Sequence, residues 1–224
     1  MVAKHYDINQ DMRYLQLLAQ SFPTVAEAST EIINLQAILN LPKGTEHFLA
    51  DIHGEYEAFL HVLKNASGNI KRKVNELFGN TLREQDKREL CTLIYYPEQM
   101  LEQVKQREAD INDWYHITLH QLVAVCRDVS SKYTRSKVRK SLPCDFSYII
   151  QELLHEHTED HDKAAYVNVI VDTIISTGRA DDFIVAIANV IQRLAIDQLH
   201  ILGDIYDRGP GAHIILDKMR RYHS

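Results

Sequence analysis

The sequence predicts an α/β chain that is mainly helical by residue count, with two or so short parallel strands separated by one large all-helical insertion. Three observations carry this. Two short apolar runs, Phe48-Leu49-Ala50 in "EHFLADIHG" and Leu199 to Leu202 in "DQLHILGDIYDRGPG", each run out into an aspartate and a glycine, as strands do where they open into loops. Between them, from residue 67 to about residue 195, glutamine, lysine, glutamate and leucine dominate and no strand pattern occurs. Of the 8 glycines, Gly54, Gly203, Gly209 and Gly211 all fall in those two segments, where the backbone must therefore turn sharply.

Taken in order, the chain opens with two helices, signalled by Tyr14, Leu17 and Leu18 and then, past the break at Pro23, by Ala28, Ile32, Leu35 and Leu39. The turn "LPKG" precedes the first strand, expected to be buried and to end at Asp51. A helix follows from 55 to about 66 through Tyr56, Phe59, Leu60 and Leu63, with Glu55 placed to cap it. Within the insertion, "PEQMLEQVKQREADINDWYHITLHQLVAVCRDVSSKY" reads as one long helix from Pro97 or as two end to end, with Trp114 and Tyr115 in its core face. The second strand and an amphipathic helix, "AHIILDKMRRYHS", close the chain. The expected organisation is residues 1–66 as N-terminal helices plus the first strand-loop-helix, 67–195 as a separate helical bundle, and 196–224 as the second strand, its loop and a helix.

Composition narrows the function. At 224 residues and 45% hydrophobic content the chain can bury an ordinary core, and a net charge of −6 argues against a surface held throughout to nucleic acid. "FIVAIANVIQRLAI" is broken by Asn189, Gln192 and Arg193 well short of a membrane span, and "MVAKHYDINQ" has no apolar leader segment, so the reading is a soluble, cytoplasmic protein with no membrane partner. Cys91, Cys126 and Cys144 have no close pair and are expected to be reduced thiols.

The chemistry lies in "DIHGE" and "GDIYDRG", which supply Asp51, His53, Asp204, Asp207 and Arg208 at the ends of two strand candidates, where ligands gather in open α/β sheets. On an extended segment Asp51 and His53 would point the same way and share one cation, and the two oxygens of Asp204 would bridge it to a second. Mixed carboxylate and imidazole ligation favours Mn, Fe or Zn over Ca. Two cations about 3.5 to 4 Å apart suit phosphoester hydrolysis without a protein nucleophile. Arg208 offers a bidentate fork for phosphate, and Asp207 is suited to orienting a histidine from behind rather than binding metal. Either segment alone is weak, since a strand end with a turn-forming Asp is the commoner meaning of each. It is their conjunction that carries the reading.

Asp51-x-His53-Gly54 followed by Gly203-Asp204-x-x-Asp207-Arg208-Gly209 resembles the first two signature blocks of the calcineurin-like metallophosphoesterases. The resemblance implies an incomplete metallophosphatase fold, Asp51 and His53 on one metal, Asp204 bridging both, Asp207 paired with a catalytic histidine, and Arg208 on phosphate. Here Asp51 stands 153 positions before Asp204, a far larger gap than most members have. That insertion, with "QDMRYLQLLAQSFPTVAEASTEIINLQ" before it, is similar to the class III fructose-1,6-bisphosphatases of Firmicutes and related bacteria. It implies a Mn2+-dependent, cytoplasmic and oligomeric enzyme removing the 1-phosphate of fructose 1,6-bisphosphate in gluconeogenesis. The rivals are a related phosphatase acting on nucleotides or phosphoproteins, and a helical interaction module whose half-site is structural.

The family also requires a Gly-Asn-His-Asp/Glu block, and no Asn-His pair occurs in the sequence. The chain is accordingly expected to be an N-terminal portion with three metal ligands at most and little activity alone. Two further clusters read mainly as solvated faces. "KYTRSKVRK", with Lys132, Arg135, Lys137, Arg139 and Lys140, could receive a second phosphate or an anionic effector. "HEHTEDHD", with His155, His157 and His161, could form a minor metal site. His47 and His200 are read as structural, with an outer role behind the ligands as the lesser alternative.

Overall fold

The computed structural model describes residues 8–155 and 161–222, with side chains from 11 to 155 and from 163 to 220. A compact boundary falls between Pro42 and Lys43. The first unit holds α1 (Ile8–Ser21) and α2 (Val25–Ile38). Thr24 starts α2 with a capping box: its hydroxyl accepts from the Glu27 backbone N–H at 3.2 Å, and the Glu27 carboxylate accepts from the Thr24 N–H at 3.0 Å. No residue of α2 is buried.

The second unit runs β1 (Glu46–Leu49), α3 (Tyr56–Asn65), α4 (Asn69–Phe78), α5 (Glu84–Tyr95), α6 (Pro97–Arg107), α7 (Ile111–Ser130), α8 (Arg135–Ser141), α9 (Ser147–His155), α10 (His161–Ser176), α11 (Ala180–Ala195), β2 (Gln198–Ile201) and α12 (Ala212–Tyr222). The segment beginning at Pro97 is two helices. α6 takes Pro97 in its first turn, where the missing N–H is no loss, and the Asp110 carboxylate restarts the ladder by accepting from the N–H groups of Asn112 and Asp113.

β1 and β2 pair in parallel, with Phe48 opposite His200 and Leu49 opposite Ile201. The expectation of a buried first strand does not hold. His47 is the one buried residue of β1, while Phe48 is 60% exposed and stacks on the His200 ring at 4.4 Å. A two-stranded sheet covers little of its own surface, so a short apolar run need not be interior.

The core is built on α11. Phe183, Ile184, Ile187 and Ile191 recur at helical spacing with no exposed surface and face α7, whose Leu119, Leu122 and Val125 are equally buried. Ile52, Phe59 and Leu63 from the first strand-loop-helix and Ile215 from α12 belong to this same cluster. The inserted helices therefore share one core with the helices that follow the strands, rather than standing apart as a bundle. A helix as apolar as α11 needs cover on several sides, and α3 to α8 supply it. Tyr115 is buried and donates its hydroxyl to Asp181 Oδ1 at 2.6 Å, whereas Trp114 is half-buried beside a cavity of about 540 Å³. Among the described residues no helix is long and apolar enough to cross a membrane, and the three cysteines are free thiols.

Candidate metal and phosphate site

Past Leu49 and Ile201 the chain leaves the sheet as two loops that pair through their backbones. Leu202 N–H donates to Leu49 O at 2.8 Å, His53 N–H to Asp204 O at 2.6 Å, Gly209 N–H to His53 O at 2.6 Å and Gly211 N–H to Gly54 O at 2.9 Å. The parallel ladder is thus continued by a zipper of loop hydrogen bonds that holds His53 and Asp204 directly, while Arg208 adjoins Gly209 and Asp51 and Asp207 stand two residues from its members. The approach is too close for side chains. A Cβ on Gly54, whose φ is +69°, would stand 2.3 Å from Gly209 O, and one on Gly209 would stand 2.5 Å from His53 O. Close approach thus accounts for Gly54 and Gly209, and for Gly211, whose Cβ would stand 2.7 Å from the Tyr56 side chain, whereas Gly203 has nothing within 4 Å and is needed for its φ of +140°.

Asp51, His53, Asp204 and Arg208 have φ of 53°, 51°, 53° and 69°. Left-handed backbone at a non-glycine residue costs on the order of 1 to 3 kcal/mol, and Asp and His tolerate it better than most. Four such residues in two adjoining loops mark a place where the backbone is bent to aim side chains. Ile52 anchors the first loop, 7% exposed in the core, so that its neighbours Asp51 and His53 face outward. Asp51 and His53 therefore do not converge through the alternation of an extended strand, as the spacing suggested. They converge because the chain turns at both.

The outcome is a cluster. Asp51, His53 and Asp204 each offer one ligand-capable atom, and those atoms lie within 4.8 Å of one another. His53 Nε2 is 3.7 Å from Asp51 Oδ1, and His53 Nδ1 is 2.9 Å from Asp207 Oδ1. An ionised carboxylate only accepts, so the Nδ1–H donates to Asp207, and Nε2 is the ring nitrogen that faces Asp51. The bond to His53, with Arg208 adding its charge, holds the Asp207 carboxyl below the usual carboxylate range. Arg208 is exposed, with Nε 3.7 Å from Asp207 Oδ2. The donor set, two carboxylates and an imidazole with its far nitrogen tied, fits one divalent transition metal. Among the described residues no second group of this kind occurs.

The other candidates lie elsewhere. Lys132 donates to Thr45 Oγ1 at 2.9 Å and Lys137 pairs with Asp197, both acceptors standing just before the strands, so this basic run sits at the opposite end of the sheet from Asp51 and Asp204. His47 Nδ1 meets Ser67 Oγ at 3.0 Å, and His200 Nε2 is 3.3 Å from Glu46 Oε2, so their partners are not site residues. Glu55 occupies the first cap position of α3 but makes no side-chain cap bond. Residues 156–160, with His157, lie outside the described residues. Sequence reasoning missed the depth of the loop pairing and the part Gly211 plays in it, although the glycine spacing "DRGPG" was its visible sign.

Comparison with known proteins bears on this site directly. The family model for the Firmicute fructose-1,6-bisphosphatases matches residues 13–224. The chain belongs to that family. A fructose-1,6-bisphosphatase class 3 from Bacteroides thetaiotaomicron is 75% identical over 214 residues, covering 96% of this chain and 32% of its own length. Proteins of the same name from Phocaeicola vulgatus and Clostridium novyi are 73% and 64% identical over 217 residues, each covering 97% of this chain and 33% of their own length. The chain thus spans about a third of the length of the curated relatives it matches. No solved structure matches it significantly. Membership of the Firmicute fructose-1,6-bisphosphatase family places both loops inside the matched region.

Proposed function

We propose that this chain supplies the first half of a Mn2+-dependent site, on a metallophosphatase fold, that hydrolyses fructose 1,6-bisphosphate to fructose 6-phosphate and phosphate. The protein would act in the cytoplasm as an oligomer, as the family resemblance implies. The observation that carries the reading is the convergence of Asp51, His53 and Asp204 with Asp207 tied behind His53. Family membership supports the sugar bisphosphate, since the relatives carry that activity in their names.

In this reading Asp51 and Asp204 give carboxylate oxygens and His53 gives Nε2 to the metal. When bound, a divalent cation supplies Lewis acidity, polarising phosphoryl oxygens and acidifying water. Asp207 keeps the proton of His53 on Nδ1, which fixes both the tautomer and the direction of the ring. Arg208, exposed beside these groups, presents a planar fork whose two N–H donors match a phosphoryl edge, a fit that a lysine would not reproduce. The zipper of loop hydrogen bonds holds phosphate fork and metal ligands in one frame, so substrate binding need not organise them.

The test is phosphate release from fructose 1,6-bisphosphate by the protein at the length of its relatives, with and without Mn2+. Turnover is expected to need the metal, to fall by at least about 100-fold in Asp204→Asn, and to show a raised KM in Arg208→Gln. Wild-type turnover by Asp204→Asn would overturn the assignment of the ligands. Preference for nucleotides or phosphoproteins over the sugar would overturn the substrate.

A further inference from the structure

The cavity of about 540 Å³ beside Trp114 is walled by α5, α6, α7 and the residues that adjoin them, and the half-site has no use for it. α5 and α7 both pack on α11, and the gap that remains between them is not filled by side chains. Leu90 and Leu93 of α5 and Met100 of α6, all buried, give the cavity an apolar lining. From α7 come Trp114, Thr118 and Gln121, spaced four and then three residues apart and therefore on one face of that helix.

Every charged side chain on the wall already faces an opposite charge. Arg83 grips Asp86 through two bonds, Nε to Oδ2 at 2.9 Å and Nη2 to Oδ1 at 3.1 Å. Arg107 reaches Glu89 through Nη2 at 2.9 Å and Glu108 through Nε at 3.0 Å. A charged ligand would lose hydration on entering and find no unmatched charge to replace it. The free hydrogen-bonding capacity is neutral. Thr118 is 4% exposed, and among the described residues neither its hydroxyl nor the Gln121 side-chain amide has a hydrogen-bond partner. A buried hydroxyl without a partner is unfavourable, and a ligand that bonds to it removes the penalty.

Trp114 sets the shape of the ligand. Its half-buried ring stands edge-on to Tyr115 at 5.6 Å between centroids, and the Tyr115 hydroxyl is itself tied to Asp181, so the indole is positioned in advance. A flat indole in a cavity shared with Leu93 and Met100 favours an aromatic ring, through apolar area and through offset or edge-on stacking. The volume lies within the ~300 to 1,000 Å³ of small-molecule pockets, and apolar walls with a few convergent polar groups are the usual make-up of such sites.

We propose that this cavity binds a small uncharged aromatic molecule bearing an amide or hydroxyl group, its ring against Trp114 and its polar group on Thr118 and Gln121. Trp114 is the single tryptophan of the chain, so tryptophan emission reports on the cavity alone. The probes are benzamide, benzoate and benzamidine, which share one skeleton and are respectively neutral, anionic and cationic. Benzamide is expected to change the emission saturably, with a Kd of about 1 mM or tighter, and the two charged analogues to bind at least about tenfold more weakly. Thr118→Val keeps the shape and removes the hydroxyl, and is expected to weaken benzamide about three- to tenfold, while Arg208→Gln leaves it unchanged. Gln121 is only half-buried, so Gln121→Ala, with a similar loss expected, stays informative if Thr118→Val alters stability. No saturable change, equal binding of the charged analogues, or native affinity in both cavity variants would overturn the proposal. So would saturation by this chain that is absent in the protein at the length of its relatives, which would make the cavity a seat for the rest of the longer chain.

Discussion

His53 Nδ1 lies 2.9 Å from Asp207 Oδ1, a contact between residues 154 positions apart that ties the two loops of the site together by their side chains as well as their backbones. It decides which nitrogen of His53 is available to a metal. Replacing the carboxylate in Asp207→Asn removes the charged acceptor and lets the ring adopt the other tautomer. Mn2+ affinity, read by calorimetry, is expected to fall roughly 10- to 100-fold with the far-ultraviolet circular dichroism unchanged. An affinity within twofold of the native chain would show that Asp207 does not orient the ligand.

The loop zipper gives a stability prediction. In Gly54→Ala the new methyl meets the Gly209 carbonyl in a backbone conformation that is itself unfavourable for alanine. The expected loss is about 2 to 4 kcal/mol in urea unfolding. Gly68→Ala is the control: its φ is also positive but nothing lies within 4 Å, so a loss of about 1 kcal/mol is expected. Equal losses at the two positions would mean that the close approach contributes nothing.

His47 predicts a pH dependence. Burial, and then the nearby charge of Lys132, lower its pKa from 6.5, and among the described residues its buried Nε2 has no partner to accept a proton's hydrogen bond. The folded state therefore binds this proton less readily than the unfolded state. The stability due to neutral His47 is present above 6.5 and is lost as pH falls from there through the lower folded value. Unfolding free energy is expected to drop between about pH 7.5 and about pH 5.5, and the drop is expected to shrink in His47→Gln. An identical drop in the variant would assign the effect to other groups.

The shared core can be probed at α11. Phe183 has no exposed surface and its ring meets Phe146 edge-on at 5.2 Å, so Phe183→Ala is expected to cost about 3 to 5 kcal/mol. Val169, on α10, is 61% exposed, and its replacement by alanine is expected to change stability by no more than about 0.5 kcal/mol. Because Ile52 and Ile215 belong to the same cluster, Phe183→Ala should also weaken protection of the loop amides at His53 and Gly209 in hydrogen exchange.

How much of this was legible beforehand differs from one part to the next. The helix at α3, the helical character of residues 67–195 and the last helix follow from composition and the recurrence of apolar residues at helical spacing, a local signal that packing did not override, and Pro97 marked a helix start for a reason internal to the chain. Whether the segment after Pro97 held one helix or two was not legible, because the choice turns on a single cap at Asp110. The exposure of Phe48 was not legible either. An apolar run tells how a strand would pair, but not how many strands will cover it.

For the site, the sequence by itself determined the donors: the side chains of Asp51, His53, Asp204, Asp207 and Arg208 have their chemistry wherever they stand, and the glycines beside them announced unusual backbone. Only the tertiary structure decided that His53 meets Asp207, that the turn at each ligand rather than strand alternation gathers the ligands, and that Leu93 and Thr118, from different helices, open on one cavity. Ligand type is a property of single residues and survives in a list of them. Convergence depends on strand register and on how helices distant in sequence cross, and those are fixed only when the whole core packs.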